Sequence, residues 1–124
     1  MFEIKFRNLR DPNFHSAVQV IGGSRGYSST RSAYKVSKLL KDIGAESDIC
    51  ERLFLEKVQS FGAEIANNKF QIPDDRVFEW TKAIDEFLDT PVTLHHDKLS
   101  LSDLEKINLS PLDISAFEPV IDFG

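Results

Sequence analysis

Residues 30–62, TRSAYKVSKLLKDIGAESDICERLFLEKVQSFG, decide the fold. From Val36 their apolar positions include Val36, Leu39, Leu40, Ile43, Ile49, Cys50, Leu53, Phe54, Val58 and Phe61. Steps of three and four place most of these on one stripe of a helix, because residues at that spacing share a face when each turn holds 3.6 residues. Ser28, Ser29 and Thr30 are candidate N-caps for it. Gly44 costs about 1 kcal/mol against alanine inside a helix. The stripe also weakens from Ala45 to Asp48, so the spacing predicts a kink or a break into two helices near Gly44.

On the N-terminal side, Phe2, Ile4 and Phe6 alternate with Glu3, Lys5 and Arg7, the period-two pattern of a strand with one buried face over residues 2–7. Asp11-Pro12 reads as an N-cap followed by proline at the first helical position, where a missing N–H costs nothing. Phe14, Ala17, Val18 and Ile21 continue that helix, and Gly22-Gly23 closes it. The loop Gly22-Gly23-Ser24-Arg25-Gly26 has no apolar side chain and is expected to be exposed and mobile.

On the C-terminal side, Lys69–Ile72 is a short alternating segment ended by Pro73. Asp74 and Asp75 then sit at a helix start, where negative charge meets the positive end of the dipole. Val77, Trp80, Ile84, Phe87 and Leu88 form the apolar face of a helix over about 75–89, stopped before Pro91. Residues 92–94 and 99–101 read as two brief strands separated by a turn at His96-Asp97. Ser102 to Glu105 and Ser110 to Asp113 match capping boxes heading two short helices, and Leu104, Ile107, Leu112, Ile114, Phe117 and Val120 are expected to pack onto the longer ones. The whole is a single domain, 1–124, of the α+β class: mostly helical, with an antiparallel helix pair, a small β-sheet and short C-terminal helices.

The apolar fraction of 41% and ten Phe supply a core for 124 residues. One cysteine excludes an internal disulfide and fits a reducing compartment. No stretch approaches the roughly 18 apolar residues that span a membrane, and the N-terminus lacks the apolar run of a signal peptide. The expectation is therefore a cytoplasmic protein. Charge is uneven: the first 41 residues carry eight basic and two acidic side chains, the other 83 carry seven and eighteen, so +6 meets −11 within the overall −5. Such a division concerns partners rather than fold.

Arg31, Lys35 and Lys38, with Arg25 before them and Lys41 after, form a basic stripe that could track phosphates, and Tyr27 and Tyr34 stand close enough to stack on a base. A solvated helix face explains the same residues, and the net negative charge opposes general affinity for nucleic acid. Asp74, Asp75, Glu79, Asp85, Glu86, Asp89 and Asp97 form the opposing acidic group, which could meet a basic groove on another protein or serve solubility alone. The glycine-rich loop is no P-loop, since no Gly-Lys-Ser/Thr follows. Neighbouring His95 and His96 would point to opposite faces of a strand, which disfavours a shared metal. Cys50 lies among Ile49, Leu53 and Phe54, where a thiol behaves as a small hydrophobe. No cofactor and no enzymatic activity are expected.

Three stretches carry a family resemblance: RSAYKVSKLL at 31–40, DEFLDTPVTL at 85–94 and LSLSDLEKI at 99–107. In layout and in the phrasing of its tail the chain resembles a family of small tailed-phage proteins known only as a domain of unknown function. The loop at 22–26 has no counterpart in that layout. The resemblance implies a small viral accessory protein that is not an enzyme. Such a protein would bind a host or phage protein through the acids of the 74–89 helix and the basic stripe, as an inhibitor of a host or defence complex or as a virion accessory. A nucleic-acid-binding module using the basic stripe is the alternative.

Overall fold

Ser29 starts the longest helix. Its backbone is extended, and its hydroxyl accepts the Ser32 amide at 3.1 Å. The computed structural model describes residues 1–27, 29–66 and 69–123, so the candidate cap Ser28 lies outside the described residues. Six helices follow in chain order: α1 Phe6–Leu9, α2 Pro12–Gly22, α3 Thr30–Phe61, α4 Val77–Leu88, α5 Leu101–Leu104 and α6 Pro111–Phe117. Six short strands accompany them: β1 Phe2–Lys5, β2 Ala63–Ala66, β3 Lys69–Gln71, β4 Pro91–Leu94, β5 Leu99–Ser100 and β6 Ile121–Asp122. The fold is α+β and mostly helical.

α3 is continuous through Gly44, so the predicted break into two helices does not occur. The space where a Gly44 side chain would stand is open, so glycine costs only its backbone freedom there. Packing on both sides outweighs that cost, because tertiary contacts supply most of a helix's stability. Val36, Leu39, Ile43 and Cys50 are buried along the stripe, whereas Ile49 falls outside it and is 39% exposed. At the far end Arg76 donates to the carbonyls of Ser60 and Phe61, two of the acceptors a helix terminus leaves unpaired. From there α4 runs back along the C-terminal half of α3. Trp80 meets Phe61 and Phe54, and Phe87 meets Phe54 a further two turns on.

The predicted strand over residues 2–7 is shorter than expected. β1 stops at Lys5, whose amide is taken by Asn8 Oδ1 at 2.9 Å as α1 begins, although the Phe6 amide still reaches Thr90 O at 3.0 Å, one step past the Lys5–Pro91 pair. The brief strands expected on either side of His96 are present as β4 and β5, each paired elsewhere. β4 lies antiparallel to β1, with Phe2 opposite Leu94 and Ile4 opposite Val92. β5 instead pairs in parallel with β6, and β2 and β3 form an antiparallel hairpin. The single small sheet expected is thus three two-stranded ones.

The core lies between these layers. Phe14 of α2 faces Phe117 of α6, with ring centres 5.1 Å apart, and Ile4, Val92, Leu94, Leu99 and Ile121 close it from the strand side. Leu104, Ile107, Phe117 and Val120 pack as expected, but Leu112 and Ile114 are 59% and 38% exposed. The first C-terminal cap sits two residues earlier than predicted: Ser100 and Asp103 exchange bonds, not Ser102 and Glu105. Ser110 and Asp113 cap α6 as read. In the 22–26 loop Gly22, Gly23 and Arg25 are exposed as expected, while Ser24 and Gly26 are half-buried. Gly26 lies so close to the Lys106 carbonyl that a Cβ would come within 2.8 Å of it, and the Tyr27 hydroxyl donates to Ile21 O.

Candidate functional site

Antiparallel pairing of β1 with β4 decides the surface charge. It lays the N-terminal basic segment beside the end of α4, where Arg7 reaches Asp85 at 3.1 Å and Asp89 at 3.2 Å. Lys5 reaches Asp89 at 3.8 Å, Arg10 pairs with Glu51, and Lys35 reaches Asp103 at 3.0 Å. Four of the eight N-terminal cations thus meet acids of the remainder, so the two oppositely charged regions of the sequence partly neutralise each other. The four pairs made by Lys5, Arg7 and Arg10 stabilise little, since water screens them. Their consequence is to define which charges stay uncompensated.

Two surfaces result. The first is the outer side of α4. Trp80, Ile84 and Leu88 are half-buried there, and Phe78, to which the helical stripe assigned no role, is 83% exposed. Val77, read as part of the buried face, is 45% exposed. Phe78, Trp80, Ile84 and Leu88 line a depression of about 520 Å³, with Thr81, Lys82 and Asp85 at its edge. Asp74, Asp75, Glu79, Asp85 and Glu86 are all exposed nearby. Glu79 is 3.7 Å from Arg76, and Asp85 is held by Arg7. Among the described residues, Asp74, Asp75 and Glu86 have no cation within ion-pair distance.

The second surface is the N-terminal half of α3. Arg31, Tyr34, Lys35 and Lys38 lie at steps of three and four on its outer face and line a depression of about 330 Å³ with His96 and Asp97. Arg25 does not reach this depression, so the predicted stripe is gathered only in part. Nor is Tyr27 available for stacking, since its ring packs against the core and its hydroxyl is bonded to Ile21 O. Burial raises the pKa of that hydroxyl. Tyr34, by contrast, is 64% exposed, with Lys38 Nζ 5.4 Å from its ring centre. His96 is engaged by Asp42, one turn beyond Lys38, and that contact holds the Asp42 carboxyl below its ordinary range.

Beneath the basic face lies a buried acid, Asp103, which the sequence placed within a capping box at a helix start. Burial alone would push the Asp103 carboxyl up. The Ser100 amide, Lys35, the Ser32 hydroxyl and the Ser100 hydroxyl together outweigh it and hold the group at about 2. Asp103 therefore clamps α5 to α3 as a fixed anion. Cys50 is buried, and loss of water pushes its thiol up, the opposite of what a nucleophile needs. No group of three metal-ligating side chains gathers among the described residues, and no helix in them is long and apolar enough to cross a membrane. No protein-family model, curated protein or solved structure matches this chain.

Proposed function

We propose that this chain acts by binding another protein, not by catalysis, and that the outer side of α4 is the contact. The supporting observation is Phe78, 83% exposed at the edge of an apolar depression. A large ring left in water has no packing value to the monomer, and contiguous exposed apolar surface ringed by charge is the anatomy of an interface. Asp74, Asp75 and Glu86, exposed on α4 and just before it, outnumber Lys82 at the rim, which favours a partner with an apolar knob surrounded by lysine or arginine. A second copy is disfavoured, because two α4 faces would oppose like charges. The raised Cys50 thiol fits the non-enzymatic reading. The phage resemblance fits a small accessory protein working in the host cytoplasm, either blocking a host complex or joining a virion.

Capture from host lysate with wild-type protein and with Asp75→Lys combined with Glu86→Lys tests this directly. The wild type is expected to retain one stoichiometric basic partner that the double variant loses. Equal retention by both proteins, or no partner at micromolar wild-type bait, overturns the reading.

A further inference from the structure

The depression on the N-terminal half of α3 is not used by the α4 interface, and its parts are complementary to a different ligand. Arg31 and Lys38 point their charge into it with no carboxylate within ion-pair distance among the described residues. Lys35 also lines it while its Nζ stays 3.0 Å from Asp103. That carboxylate accepts from Ser100 and Ser32 as well, so little of its charge is left to oppose a second anion. Across the cleft, His96 is anchored by Asp42, which fixes the turn carrying Asp97 as the opposite wall. Tyr34 stands between the two cations on the helix, 64% exposed, with its ring beside Lys38.

Cations flanking an exposed aromatic ring, one of them over its face, opposite a wall that holds a carboxylate and an imidazole, match an amphoteric ligand better than a plain anion. The geometry points to a site for a single nucleoside phosphate: Arg31 and Lys38 hold the phosphate, Tyr34 stacks on the base, and Asp97 accepts from a sugar hydroxyl. The volume of about 330 Å³ is at the small end of ligand sites, enough for one nucleotide. A duplex hides its bases from Tyr34 and would bring many phosphates toward a chain of net charge −5. A free nucleotide and one unpaired residue of a strand share the required chemistry.

Titration calorimetry with AMP, adenosine, pyrophosphate and an octadeoxyadenylate separates these sources. AMP is expected to bind saturably and more tightly than adenosine or pyrophosphate. Tyr34→Ala weakens AMP about tenfold, the usual contribution of one base stacked on an aromatic ring, and leaves pyrophosphate unchanged. Arg31→Ala with Lys38→Ala weakens both phosphate ligands, and affinity falls with salt. Octamer binding much tighter than AMP, with the same sensitivities, assigns the site to a strand; equal affinities assign it to free nucleotide. Either result supports the site. Unchanged AMP affinity in Tyr34→Ala, pyrophosphate binding as tightly as AMP, or no saturation by any of the four ligands at millimolar concentration overturns it. All three residues are partly or largely in water, so matched thermal melts confirm that the variants stay folded. Charge reversal on α4 leaves AMP binding unchanged, so this site and the protein interface stand or fall separately.

Discussion

Replacing Asp103 by asparagine removes one charge and almost nothing else, and it tests whether a buried anion clamps α5 to α3. The folded carboxyl lies at about 2 against an ordinary value of 3.8. A depression of that size corresponds to about 2 kcal/mol of stability at pH 7, and for a chain of this length to a fall of roughly 8 °C in Tm on substitution. Because the folded value is the lower one, this contribution is full above 3.8 and fades as pH falls through about 2. Near pH 3 the wild-type advantage shrinks to about 1 kcal/mol. Urea unfolding followed by the fluorescence of Trp80, the only tryptophan, measures both proteins across this range. Lys35→Gln is expected to cost less than Asp103→Asn, since the Ser32 and Ser100 donors remain and Lys35 Nζ is partly in water. A gap between wild type and Asp103→Asn that is below about 0.5 kcal/mol at pH 7, or that stays constant down to pH 3, refutes the clamp.

Three other perturbations have definite signs. Gly44→Ala raises stability by about 0.5–1 kcal/mol, because its Cβ meets open space inside a helix, whereas Gly26→Ala lowers it, because its Cβ meets the Lys106 carbonyl; the two urea midpoints move in opposite directions. Phe14→Ala loses about 3–5 kcal/mol through the cavity left beside Phe117, read from the same unfolding curves. Cys50 reacts with a thiol reagent at the rate of unfolding rather than at that of a free thiol, since it is 1% exposed and its pKa is raised; fast labelling of native protein contradicts its burial.

Local pattern made some of this legible and long-range pairing made the rest illegible. The α3 stripe, the Asp11-Pro12 start, the Ser110–Asp113 cap and the stop before Pro91 are decided within a few residues, so the sequence shows them. Phe6 is buried whether its segment is a strand or a helix, so alternation continued past the true strand end at Lys5. The partner of each short strand depends on chain closure over tens of residues, and no residue near Val92 announces that Ile4 lies opposite. The charge division survives only in part for the same reason. Arg7 meets Asp85 and Asp89 only because β1 and β4 pair, a contact 78 and 82 residues apart in sequence. Phe78 escaped notice because helical spacing identifies residues that belong in the core and is silent about a ring left outside it. Arg31, Lys35 and Lys38, in contrast, were grouped correctly, since helical steps alone bring them together, while Arg25 depended on a loop whose path the sequence does not specify.

The most direct test of the α4 interface is the substitution Phe78→Ser, read as the amount of partner retained from host lysate alongside the Trp80 unfolding transition. The ring is 83% exposed, so the unfolding midpoint is expected to stay within about 0.5 kcal/mol of wild type while the captured partner disappears. Retention of the same partner by Phe78→Ser, with the fold intact, contradicts the assignment of α4 as the binding surface.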